Sequence, residues 1–101
     1  MDVPLNQQAS RQLQERVTSM LPAQVLDEAI TFFSRQNGVY SAFPEKRGPT
    51  YVTLRGQGGE EIAIAAWTID SGTMVSGSSY LFDQQVVRFL DALPLVVTVT
   101  P

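Results

Sequence analysis

In the stretch GTMVSGSSYLFDQQ, Gly72 and Gly77 are separated by four residues and lie between a β-prone run and a helix-like run. That is the glycine spacing of a loop that cradles phosphates. Such a loop needs a lysine straight after its second glycine, a magnesium-binding carboxylate on a neighbouring strand, and a parallel sheet with crossover helices. Ser78 occupies the lysine position, and the other two requirements also fail. Asp70-Ser71-Gly72 instead reads as a tight turn between antiparallel strands, with Gly72 at a positive φ and Gly77 inside a strand, at a bulge or a close contact. What remains of anion chemistry is the nearness of Ser78, Ser79 and Asp83 to a helix start.

Acid and base pairs are equally weak. Histidine and cysteine are absent, which removes the usual general base near neutral pH, the commonest zinc ligands and thiol chemistry. Glu60 and Glu61 are adjacent, but neighbours on a strand point to opposite faces, and a pair beside Gly58-Gly59 fits a solvated hairpin rim. Asp27-Glu28 falls early in a helix, where acidic side chains favour the positive end of the dipole. No nucleophile-elbow pattern is present. An enzyme is not expected, and neither a metal nor a cofactor is implied.

The elements that would position any site can be read from periodicity and punctuation. Leu5, Ala9, Leu13, Val17 and Met20 recur at helical spacing and predict a first helix. Pro22 suits the first turn of a second helix carrying Val25, Leu26, Ala29, Ile30 and Phe33 on one face and ending at Asn37-Gly38. Four strands follow in VYSAF, TYVTLR, EEIAIAAWTID and TMVSGSSY, with Gly58-Gly59 and Asp70-Ser71-Gly72 as hairpin turns. Short turns force antiparallel neighbours, so the sheet is a meander. Val86, Phe89, Leu90 and Leu93 mark a last helix with Asp83 in its first turn and Pro94 beyond its end. The apolar run from Leu95 to Val99 reads either as a terminal strand or as the stub of something longer. The expected fold is α+β, one domain over residues 1–101: two N-terminal helices, a four-stranded antiparallel meander and a C-terminal helix in a two-layer sandwich.

Composition narrows the function classes. Only 17% of the 101 residues are charged, against about a quarter in ordinary domains, and nine glutamines with many serines and threonines take their place. Little repulsion then opposes contact between like surfaces. The formal net charge of −3 has the wrong sign for a grip on phosphate backbones, so nucleic acid is not an expected partner. The one close basic pair, Lys46-Arg47 in FPEKRGP, reads as a solvated turn. With no secretory leader and no bilayer-length apolar stretch, the chain is expected to be soluble and cytoplasmic, without membrane partners.

The strongest remaining signal is the third expected strand. Ile62 and Ile64 lie on one side, and Ala63, Ala65, Trp67 and Ile69 on the other, so both faces are apolar. A half-buried antiparallel strand alternates apolar with polar; this one must be covered on both sides or belong to a contact surface. On the helix, Phe32 points about a hundred degrees away from Phe33, to the edge of the core. The favoured expectation is a non-enzymatic interaction module that pairs with a second copy, as a dimer, or with another protein. Its candidate contact residues are Ile62, Ile64, Trp67, Tyr51, Tyr80 and Phe32. The alternative is a pocket for a small apolar ligand between sheet and helices, lined by Tyr40, Tyr51, Trp67 and Tyr80. Millimolar nucleotide with magnesium is expected to leave the melting temperature unchanged, and a concentration-dependent rise in a thermal-shift assay would restore the phosphate-loop reading.

Overall fold

A computed structural model describes residues 13–36 and 38–96 as one five-stranded antiparallel sheet with two helices. The strands are β1 (Gln14–Thr18), β2 (Ala42–Arg47), β3 (Tyr51–Gly56), β4 (Glu61–Ile69) and β5 (Gly72–Ser79); the helices are α1 (Pro22–Ser34) and α2 (Asp83–Asp91). Across the sheet the order is β1-β5-β4-β3-β2. The meander of β2 to β5 follows the sequence reading, and β1 adds a fifth strand beside β5.

The expected first helix is therefore corrected where it can be compared. Its N-terminal part, with Leu5 and Ala9, lies outside the described residues, but Gln14–Thr18 is a strand. Leu13, Val17 and Met20 are spaced four and three apart, which a short window cannot separate from an edge strand, and pairing with β5 decides the outcome over local pattern. Val17 and Thr18 are β-branched and stiff at χ1, which suits the strand. Thr18 anchors the end of β1: it is buried, its hydroxyl donates to the Pro94 carbonyl at 2.6 Å, and it accepts from the Met20 N–H at 3.2 Å. Leu95 makes an isolated antiparallel bridge to Thr18; Val97 to Val99, the rest of the expected terminal strand, lie outside the described residues.

Pro22 opens α1 as predicted, and it also sets the entry, since a residue before proline is pushed to extended geometry and Leu21 has φ −67° and ψ 151°. Val25, Leu26, Ala29 and Phe33 are buried on the inner side of α1, while Val86, Phe89 and Leu90 are buried on α2, with Leu93 just beyond it. Opposite them the strands contribute Ala42, Val52, Leu54, Ile62, Ile64, Ala66 and Val75, all fully buried. Both helices thus sit on one face of the sheet, in the two-layer arrangement expected. Two ion pairs tie them to the edge strands: Arg16 of β1 to Asp91 at 2.9 Å, and Arg47 of β2 to Asp27 at 2.6 Å. Lys46-Arg47 is consequently in a strand and not in a turn. The VYSAF strand is also shifted: Gly38–Tyr40 form one 3-10 turn and β2 begins at Ala42.

Two glycines hold positions that other residues would disturb. Gly72 follows the two-residue loop Asp70-Ser71, pairs with Ile69 and has φ +147°; a Cβ there would stand 2.7 Å from the Thr18 carbonyl oxygen. Gly77 lies in unbroken register, without a bulge, under α2, where a Cβ would come within 2.8 Å of Val86 and 3.1 Å of Ile64. A Gly72→Val variant is expected to lose about 1–3 kcal/mol of stability through the backbone conformation and the contact with Thr18. Urea denaturation measures it, and an unchanged midpoint would show that the turn tolerates a side chain.

Candidate functional site

The face of the sheet turned away from the helices is built by strand alternation alone. In β4, Ile62, Ile64 and Ala66 point to the helices and are buried, so Ala63, Ala65 and Trp67 point the other way. In β5, Thr73, Val75, Gly77 and Ser79 point inward, leaving Met74, Ser76 and Ser78 outward. In β3 the outward residues are Tyr51, Thr53 and Arg55. The register then sets them in rows: Val17, Met74 and Trp67 lie side by side across three strands; Glu15, Ser76, Ala65 and Tyr51 form the next row. Ser78, Ala63, Thr53 and Lys46 follow, and Glu61, Arg55 and Phe43 close the far end. Directly opposite side chains in such rows are in contact range.

No described element covers this face. Trp67 keeps 38% of its surface exposed, Tyr51 40% and Phe43 52%, although a soluble monomer seldom leaves aromatic residues together on one face. Charge is confined to its margins, with Glu15 on β1 and a cluster at the β2–β3 end. There Arg55 donates to both Glu45 oxygens at 2.7 and 3.3 Å and to the Gly59 carbonyl at 2.9 Å, with Glu61 4.0 Å away. The hydrogen bond from Arg55 holds the Glu45 carboxyl below its ordinary range, helped by the charges of Arg55 and Lys46 and opposed by desolvation. The same partnership raises the Arg55 guanidinium.

The structure divides the residues singled out in the sequence. Trp67 and Tyr51 share the open face. Ile62 and Ile64 do not belong to a contact surface; they are fully buried in the core, because the helices cover their side of β4. Phe32 is partly buried at the core edge, its ring 5.1 Å from Phe33 and 5.5 Å from Phe89. Tyr80 is exposed just beyond β5, where its N–H donates to the Glu61 carbonyl. Tyr40 is at the α2 end of the molecule, edge-on to Phe82 at 5.6 Å. The aromatic residues expected to line one pocket are therefore split between the open face and that end.

Val17, Met74 and Phe43 belong to the open face and were not singled out. Met74 and Phe43 follow from the alternation of their strands, whereas Val17 needs β1 to be recognised as a strand. Two shallow cavities lie beside α2, one of about 320 Å³ lined by Asp83, Gln84, Val87 and Arg88, the other of about 280 Å³ lined by Tyr40, Leu81, Asp83, Gln84 and Gln85. Leu81, exposed beside the second, has a left-handed φ of +74°.

The chemistry of the helix start is also resolved. The Ser79 hydroxyl donates to Asp83 at 3.1 Å, so the first turn of α2 carries its own carboxylate where an anion would have to sit. Among the described residues no three of Asp, Glu, His or Cys come together as a metal-binding group, and no helix is long and apolar enough to cross a membrane. No family model, curated protein or solved structure matches this chain.

The Glu45–Arg55 pair makes a pH dependence with a definite sign. A carboxyl whose pKa is lowered on folding stabilises the fold above the ordinary carboxylate range and loses that contribution as pH falls through its folded value. The difference in melting temperature between the wild type and Glu45→Gln should therefore narrow between about pH 6 and about pH 3. A gap that stays constant on acidification would mean the pair contributes nothing to stability.

Proposed function

We propose that this chain is a non-enzymatic interaction module that self-associates through the open face of its sheet, as a symmetric dimer. The observation that carries the proposal is the row of half-buried Val17 and Met74 with exposed Trp67, which no described element covers, continued by Ala65 and Tyr51 in the next row. Burying such a face against its own copy removes apolar surface from water twice per contact, since every residue of a two-fold interface is used by both partners. The low charge content of the chain, 17%, leaves little repulsion against that encounter.

The composition of the face supports recognition rather than catalysis. Aromatic residues and methionine are enriched at protein interfaces, and charged residues are depleted from their centres, which is the distribution here. Five strands at about 4.8 Å spacing and seven or so residues of length give a face of roughly 550 Å² per copy, near the lower end for a specific interface.

Sedimentation equilibrium across the micromolar range is expected to show a reversible monomer–dimer equilibrium. Trp67→Lys, which places a charge in the apolar row on the central strand, should weaken it at least about tenfold without changing the far-ultraviolet circular dichroism. A strictly monomeric wild type throughout that range would remove the proposal.

A further inference from the structure

Resting on the self-association reading, we infer that the two copies stack face to face about a two-fold axis running along β4, which sets Glu15 of each copy against Lys46 of the other. Two sheets that pack face to face in the aligned manner keep their strand directions within about 30° of each other. A symmetric pair then has two choices for its axis, along the strands or across them. The first carries β1 over the partner's β2 and β5 over the partner's β3. The second carries every strand over its own copy.

Charge separates these choices. Glu15 is exposed on β1 at one margin of the open face, and Lys46 is exposed on β2 at the other. They are the outermost strands of the sheet on opposite sides of the central β4. Glu15 is level with Ala65 and Lys46 with Ala63, an offset of two residues, or about 7 Å along a strand, which the two long side chains span. An axis along β4 brings these opposite charges together twice, against one meeting of like charges where the two copies of Glu61, each beside Arg55, face one another at the end of β4. An axis across the strands sets the two copies of Glu15 on the same margin, and likewise the two copies of Lys46, which costs repulsion.

Volume points to the same axis. Level with Ala65 and Ala63 the open face carries Tyr51 and Thr53 of β3 on one side of β4 and Ser76 and Ser78 of β5 on the other, while Met74 lies one row further along, beside Trp67. Rotation about β4 lays Tyr51 and Thr53 of each copy over Ser76 and Ser78 of its partner. Along the axis itself Ala63 and Ala65 let the sheets approach closely at mid-strand, and the two copies of Trp67 meet each other further along. The crosswise axis stacks bulk on bulk and leaves a gap between the serines.

The test is a charge swap in the full chain, read by sedimentation equilibrium at low and high salt, with circular dichroism as the folding control. Glu15→Lys and Lys46→Glu should each weaken the dimer at least about fivefold at low salt, and the double swap should restore it to within about threefold of wild type. Dimers indifferent to all three changes would overturn the axis and leave self-association standing. Single swaps that weaken the dimer with no recovery in the double variant would likewise overturn the Glu15–Lys46 pairing. A wild type that is monomeric with Trp67 shielded from acrylamide would overturn both readings and assign the cover to the chain's own residues outside 13–36 and 38–96.

Discussion

Two helices cover one face of a five-stranded sheet and no more. Packed helices lie 8–10 Å apart and the outer strands of such a sheet about 19 Å apart, so α1 and α2 together close one side, and no described element covers the other. Every other feature depends on this limit. It makes Ile62, Ile64 and Ala66 the core of β4 and turns Ala63, Ala65 and Trp67 outward. It also explains why Gly77 is a glycine: α2 lies so close to β5 that Val86 would meet any side chain there.

The helices are held in that layer by apolar burial and positioned by charge. Phe33 and Phe89 meet at 5.5 Å where α1 and α2 come together over the sheet, and aromatic pairs of this kind add to the burial of their area. Arg16–Asp91 and Arg47–Asp27 are exposed and contribute little to stability, yet each joins an edge strand to the helix above it. The charges of β1 and β2 that face the helices are thereby engaged, while Glu15, Lys46 and the Glu45–Arg55 pair mark the open side. The molecule is two-sided: a closed apolar interior with ion pairs at its rim, and an open apolar face with charge at its margins.

Much of this was legible in the residues, and the failures have physical causes. The meander from β2 to β5 follows from Gly58-Gly59 and Asp70-Ser71-Gly72, because short turns fix antiparallel neighbours, and Gly72 does take a positive φ. The buried faces of α1 and α2 follow from 3.6-residue spacing. β1 was not legible, since Leu13, Val17 and Met20 satisfy a helical spacing and what makes Gln14–Thr18 a strand is the long-range partner β5. For β4 the sequence shows two apolar faces and cannot say which one the helices choose, so Ile62 and Ile64 stood beside Trp67 as contact residues. Without β1 as a strand, Val17 has no place beside Met74, and the apolar row of the open face cannot be assembled.

If a second copy covers the open face, Trp67 reports on it directly, being the one tryptophan in the chain. Acrylamide quenching of its fluorescence, followed over a dilution series from high to low micromolar protein, measures how much of the indole the quencher reaches. A face covered by a second copy gives a protected, blue-shifted tryptophan at high concentration that becomes more accessible and red-shifts on dilution. Quenching and emission that stay the same at every concentration would contradict it.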